Sequence, residues 1–287
     1  MRIAVVGGTG LIGARLVRIL RARGHQVVVA ARATGVDSFT GEGLADALAG
    51  AEVVVDVSNS SYTDEAAARE FFYASTLNLL TYGDAAGVAH HVALSVVGTD
   101  RLARGQGGYF IAKQQQERLI STSGRPFSIV HATQFFEFIR HIADHALRGR
   151  TYRLADVTVQ PMAADDVASA VARAALAGPS AGITEHAGPE RFGLRDIAEL
   201  DLRFRHDDRD VLPDPLGTYF GARLAPDDLL PGPDALIAAT RYRAWREVNG
   251  APADAAGVPS RPRGILRGDG ANGDTFARSS GGYGEQR

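Results

Sequence analysis

The chain has 287 residues, 45% of them hydrophobic and 22% charged, with a formal net charge of −2. That balance suits a globular protein and gives no electrostatic reason to expect nucleic acid or an anionic membrane as a partner. There is no cysteine, which excludes disulfides, thiolate nucleophiles and Cys-ligated zinc.

No apolar run approaches the roughly 20 residues of a membrane span, and no signal segment precedes the first strand, so a cytoplasmic location is expected. That first predicted strand, Ile3-Ala4-Val5-Val6, enters Gly7-Gly8-Thr9-Gly10-Leu11-Ile12-Gly13. Gly8-x-Gly10-x-x-Gly13 fits a dinucleotide fingerprint. Its glycines permit a tight turn, let backbone amides approach a pyrophosphate and let helix pack on strand. A helix follows to about Arg23, with Ile12, Leu16, Ile19 and Leu20 as its buried stripe. Its N-terminus offers unpaired N–H groups and partial positive charge to phosphates. Gly7, Thr9, Gly10, Leu11, Ile12 and Gly13 are therefore candidate cofactor contacts. The second strand ends in Ala30-Ala31-Arg32, where an NAD-type site would place a carboxylate on the ribose 2′-hydroxyl. Arg32 can instead pair with a 2′-phosphate, which favours NADP(H) over NAD(H).

A brief third strand is expected at Val36-Asp37, a short helix over Glu42 to Ala49, and a fourth strand over Ala51 to Val57. Ser58 closes that strand and is a further cofactor candidate, because ligands bind at the carboxyl edge of such sheets. A long helix over Asp64 to Ala86 leads to a fifth strand, His91 to Val96. Next come a helix over Gly108 to Ser123, a sixth strand over Phe127 to Val130, and a helix over Gln134 to Leu147. Extended chain at Val157 to Gln160, a helix over Asp165 to Ala175 and a strand at Ile183 to Ala187 complete the alternation. The fold class is α/β, a doubly wound parallel sheet of Rossmann-like type with a small C-terminal substrate-side region. One domain is expected over residues 1–249, with substrate-side segments from about 183. Past Phe192 the pattern weakens, Arg203 to Asp210 reads as a solvated loop, and Trp245 is expected to pin the last helical pieces. The Gly-, Ala-, Arg- and Ser-rich stretch 250–287 reads as a disordered tail.

Of the 31 Lys and Arg residues, only Lys113 is lysine. Tyr109 stands four residues before it on a predicted helix, so the two side chains share a face. A free tyrosine is a poor acid–base group near neutrality, and a neighbouring ammonium would bring its pKa down toward the working range. Ser95 lies at the end of the fifth strand. His141-x-x-x-His145 has the spacing of two metal ligands but no third, so no metal is expected.

The glycine motif, Ser95 and Tyr109-x-x-x-Lys113 together resemble a short-chain dehydrogenase/reductase, most closely its atypical, NmrA-like and nucleotide-sugar-epimerase-like branch. The similarity spans roughly Met1 to Gly193 and includes Ala132-Thr133-Gln134-Phe135-Phe136 and Gln160-Pro161-Met162-Ala163-Ala164-Asp165-Asp166-Val167. It implies Tyr109 as general acid, Lys113 as holder of the nicotinamide ribose, and Ser95 as a hydrogen-bond donor to the substrate carbonyl. Val97, Gln134, Phe135 and Phe136 are the candidate substrate pocket, with Phe138 nearby. The family often places an asparagine before the fifth strand to support a water relay. Asn78 lies on that helix, at a position that packs.

The reading is an NADPH-dependent reductase of a carbonyl, quinone or enone in a small hydrophobic molecule. Two alternatives stay open: a non-catalytic NADP(H)-binding redox sensor, and an epimerase-like isomerase. A homo-oligomer is compatible with either outcome.

Overall fold

The computed structural model describes residues 1–249, so the predicted tail at 250–287 lies outside the described residues. Seven parallel strands form the central sheet: β1 (Arg2–Val6), β2 (Gln26–Ala30), β3 (Val53–Asp56), β4 (His90–Val96), β5 (Phe127–Ala132), β6 (Ile183–Ala187) and β7 (Leu236–Ile237). Their order is β7-β6-β5-β4-β3-β1-β2. The chain thus winds outward from β1 in both directions, which is the doubly wound topology expected.

Alternation along β1 shows why the sheet must be covered on both faces. Ile3 and Val5 pack against α1 (Leu11–Ala22) and α7 (Ala164–Ala177). Ala4 and Val6 point the other way, toward α2 (Leu44–Leu48) and Leu79 of α3 (Glu65–Ala85). Successive strand side chains face opposite sides, so a strand buried on both reads as a continuous apolar run. Beyond α4 (Thr99–Arg104), α5 (Gly108–Thr122) packs beside α3, and its Tyr109, Phe110 and Ala112 join a third apolar cluster.

That cluster also takes in the C-terminal segments. A short sheet of Thr151–Ala155 between Leu147–Arg148 and Asp210–Asp214 packs with α6 (Ile139–His145) and α8 (Leu194–Phe204). Helix α9 (Tyr242–Asn249) closes the region, with Trp245 resting on Phe136 and Tyr242.

Three expectations need correction. Val36-Asp37 forms no strand: the Asp37 amide bonds the Glu42 carbonyl and Gly41 folds back on Asp37, closing a loop. The helix expected over Gln134 to Leu147 is broken into a 3₁₀ turn at Phe136–Phe138 and α6, because Gln134 and Phe136 exchange backbone bonds with Met162. The weak pattern past Phe192 conceals α8. Arg203 to Asp210 is mostly exposed, as expected, running from the last residues of α8 into a loop in which Asp207 accepts from both Arg209 and Tyr152. Among the described residues, no helix is long and apolar enough to cross a membrane.

Candidate active site

The turn after β1 is shaped by two glycines. Gly7 takes a φ of +77°, donates its amide to the Ala30 carbonyl and accepts from Gly10. A Cβ at Gly13 would collide with the Gly7 carbonyl and lie 2.6 Å from the Gly8 Cα, so helix and turn can meet only through glycine. Helix α1 then starts at Gly10 with no side-chain cap and no acidic residue in its first turn. Its leading N–H groups are left for a ligand.

This turn forms one end of a cleft of about 630 Å³ along the carboxyl edge of β1 to β4. Gly7, Thr9, Gly10, Leu11, Ile12, Arg32, Ser58, Ser95, Tyr109, Lys113 and Phe135 all line it, so most of the residues singled out in the sequence converge here. Gly13 does not line it, serving instead as the contact between turn and helix. The Arg32 side chain is exposed and makes no hydrogen bond or ion pair among the described residues, while Ala30 and Ala31 beside it leave the strand end without a carboxylate. Asp37 also lines this end, with its carboxylate taken by the Phe39 amide. The Ser58 hydroxyl is engaged too, donating to Asp56 at 2.6 Å.

At the other end the geometry departs from expectation. Tyr109 Oη donates to Asn59 Oδ1 at 2.7 Å, and Asn59 Nδ2 donates to Tyr62 Oη at 2.9 Å. The Tyr62 ring lies against Tyr109 with centroids 4.4 Å apart, and Phe72 and Phe110 meet it edge-on. Burial, reinforced by Tyr62, pushes the Tyr109 phenol well above its ordinary range. Lys113 does not lower it. Its ammonium donates to the Leu94 carbonyl at 2.8 Å and to Gln116, and sits 4.7 Å from the centre of the Phe72 ring. Burial lowers the Lys113 pKa to about 8, with Asp56 and Glu117 pulling it back up. Gln116 in turn donates to Asp56, so the lysine is tied to β3 and β4 beneath the cleft.

Ser95 lines the cleft, but its hydroxyl donates to Glu117 and lies 3.4 Å from Thr99 Oγ1. Val97, Gln134 and Phe136 are buried away from the cleft, contrary to expectation. Phe136 packs on Tyr242 and Trp245, while Leu94, Val96 and Phe138 supply the wall in their place. Asn78 donates to the Ser38 and Phe39 carbonyls and anchors that loop, so it supports no relay. His141 and His145 stack on Phe138 and Phe220, and no metal-binding group occurs among the described residues.

Asn59 and Tyr62 are the site residues that sequence reasoning missed. Their signal was position alone: both follow a strand at the sheet's carboxyl edge.

No protein-family model matches the chain. It is 31% identical over 111 residues to the photosystem II assembly factor Ycf39 of Synechocystis sp., a match covering 34% of each chain. It is 48% identical over 44 residues to the epimerase family protein SDR39U1 of Bos taurus, covering 15% of each. The matched region therefore spans about a third or less of these relatives. Solved structures align more broadly. The dTDP-4-dehydrorhamnose reductase of Yersinia enterocolitica superposes with a TM-score of 0.58 at 15% identity, over 74% of this chain and 83% of that one. The UDP-glucose 4-epimerase of Thermus thermophilus, a complex with NAD, gives 0.58 at 18% identity over 88% and 94%. RMD from Pseudomonas aeruginosa, complexed with NADPH, gives 0.55 at 18% over 74% and 86%.

The chain shares the Rossmann-like α/β fold of these solved structures. Its glycine turn, open helix N-terminus and cleft lie at the carboxyl edge of the sheet, where open α/β sheets bind ligands.

Proposed function

We propose that this chain is an NADP(H)-dependent reductase of a carbonyl, quinone or enone in a small, planar, apolar molecule. The carrying observation is the make-up of the cleft wall. Arg32, Asp37 and Lys113 are its charged residues, and the aromatic rings of Tyr62, Phe71, Tyr109, Phe135 and Phe138 stand among small, aliphatic and small polar residues in the rest. A nucleotide-sugar substrate brings a second diphosphate, which calls for cations of its own. Arg32 is the cation at the adenosine end, and the Lys113 ammonium is already bonded to Leu94 and Gln116. Flat apolar walls suit a planar ring instead.

The residues fit a dinucleotide. The amides of the glycine turn and of α1 would hold the pyrophosphate, Arg32 the 2′-phosphate, and Lys113 with Tyr109 the nicotinamide end. The bound nicotinamide supplies the hydride. Tyr109 supplies the proton. Its raised pKa keeps the phenol protonated at neutral pH, and a developing alkoxide is a stronger base still, so transfer to it is favourable. To act, Tyr109 exchanges Asn59 Oδ1 for the substrate oxygen.

The test is NADPH oxidation by the purified chain against a panel of quinones and aromatic ketones. Turnover is expected, and Tyr109→Phe should lower kcat by about 10²–10⁴ while leaving NADPH affinity intact. NADPH binding without oxidation of any panel member would make the chain a nucleotide sensor. Retained NAD with no consumption of external cofactor would favour an isomerase.

A further inference from the structure

Ser95, His131 and Glu185 stand on one rung of the central sheet: Ser95 of β4 is in register with His131 of β5, and His131 with Glu185 of β6. Glu117 reaches onto that rung from α5. Ser95 donates to Glu117 Oε1, His131 Nε2 lies 3.0 Å from the same oxygen, and His131 Nδ1 lies 3.9 Å from Glu185 Oε1. The other Glu185 oxygen accepts the Gly232 amide at 2.6 Å. Ser95 is buried in the cleft wall, Glu117 and His131 are 14% and 9% exposed, and Glu185 at the far end is 25% exposed.

Burying an imidazole and two carboxylates together is costly, and an apolar rung would pack as well. The surrounding charges keep the row ionised. Lys113, one turn before Glu117, acts on that carboxylate, and Arg101 of α4 acts on Glu185. Burial pushes His131 down, but Glu117 and Glu185 outweigh it and leave the imidazole raised. Burial likewise pushes Glu117 up, and His131, Ser95 and Lys113 together hold it below the usual carboxylate range.

The cleft has need of such a row. Asn59, the hydrogen-bond partner of Tyr109, has no proton to give back, and Asn78 is spent on loop carbonyls. We infer that Ser95, Glu117, His131 and Glu185 form a proton path between the cleft and the surface, with His131 as the stored proton. This rests on the reductase reading. In that reaction hydride reduces the substrate carbon, NADPH becomes NADP⁺, and a proton passes to the substrate oxygen. His131 passes its proton to the Glu117 carboxylate, and Glu117 passes it to Ser95 as the Ser95 hydroxyl gives its own proton to the base left in the cleft, which leaves Glu117 ionised, Ser95 protonated and His131 neutral. His131 then regains a proton from solvent on the Glu185 side. Glu117 and His131 act through Ser95 and are relay residues.

The experiment uses the full chain with NADPH and 9,10-phenanthrenequinone as a planar diketone probe. Glu117→Gln and His131→Asn should each lower kcat about tenfold to a hundredfold, with KM and NADPH affinity held and the alkaline limb of the kcat–pH profile displaced. Glu117→Asp should restore part of the loss. Folded variants with wild-type kcat and pH profile would overturn the inference. A second readout needs neither variant nor turnover: the imidazole titration of His131, followed by NMR with NADPH or NADP⁺ bound. The positive nicotinamide of NADP⁺ should lower the His131 midpoint relative to NADPH, and an identical midpoint in both complexes overturns the path. If the wild-type chain oxidises NADPH with no carbonyl, the reductase reading falls, and the titration alone decides the path.

Discussion

Lys113 is held by two acceptors from one side, the Leu94 carbonyl and Gln116, over the face of Phe72. A compact ammonium fits there; the five donors of a guanidinium, fixed in a planar fork, would leave some buried without partners. That the chain keeps lysine at this position was visible in composition, and the shared face with Tyr109 was visible in spacing, because both are local. Which atoms the lysine binds was not, because Leu94 comes from β4 and Gln116 is fixed by Asp56 of β3. Arg32 offers a cleaner residue-scale test, being exposed and unengaged among the described residues. Arg32→Ala should weaken NADPH at least about tenfold, or roughly 1.4 kcal/mol, and leave NADH affinity unchanged. Calorimetric titration at two salt concentrations checks this, since an exposed charge pair should weaken as salt rises. Equal losses for both nucleotides would remove Arg32 from the 2′-phosphate site.

At the scale of elements, the helices flanking the sheet were legible wherever their apolar stripes were clean, as in α1 and α7. Helix α8 escaped because its stripe, Leu194, Ile197, Ala198, Asp201 and Leu202, contains a buried aspartate. That aspartate pairs with Arg246 of α9 and, at 2.9 Å, with Arg205. The partner of the Asp210–Asp214 strand, Thr151–Ala155, lies far back in the chain, a pairing that no local pattern announces. Asp201 joins α9 to the body in charge terms, together with Glu190, which accepts the Tyr242 amide and pairs with Arg241. Asp201→Ala leaves the largely buried Arg246 uncompensated and should cost about 3–5 kcal/mol. Trp245 is the chain's one tryptophan, so its fluorescence during urea unfolding reports this directly. An unchanged urea midpoint would mean that the aromatic contacts of Trp245 and the Glu190 contacts at the start of α9 hold the helix without Asp201.

For the molecule as a whole, acid sensitivity follows from its buried histidines. Burial lowers His90 and His186 to about 4, with His91 adding to the effect at His90 and Arg173 at His186, and burial lowers His91 as well. Unfolded, these groups titrate near 6.5, so between about pH 6.5 and 4 the unfolded chain binds more protons. Stability is therefore complete above that window and falls as pH drops through it, by on the order of several kcal/mol. His131 works in the opposite sense, since its raised pKa favours the fold at low pH, but it is one group against three. Urea midpoints taken at about pH 7.5 and about pH 5 should show the loss; a midpoint that rises on acidification would contradict it. One further consequence follows from the lysine beneath the cleft. As the only lysine in the sequence is buried, the surface presents no side-chain amine, and reagents that acylate amines in bulk find no lysine there to modify. With a pKa near 8, Lys113 carries an appreciable neutral fraction at mildly alkaline pH. An aldehyde small and flat enough to enter the cleft would meet the one side-chain amine able to form an imine with it, which makes this position a chemical handle addressed by shape.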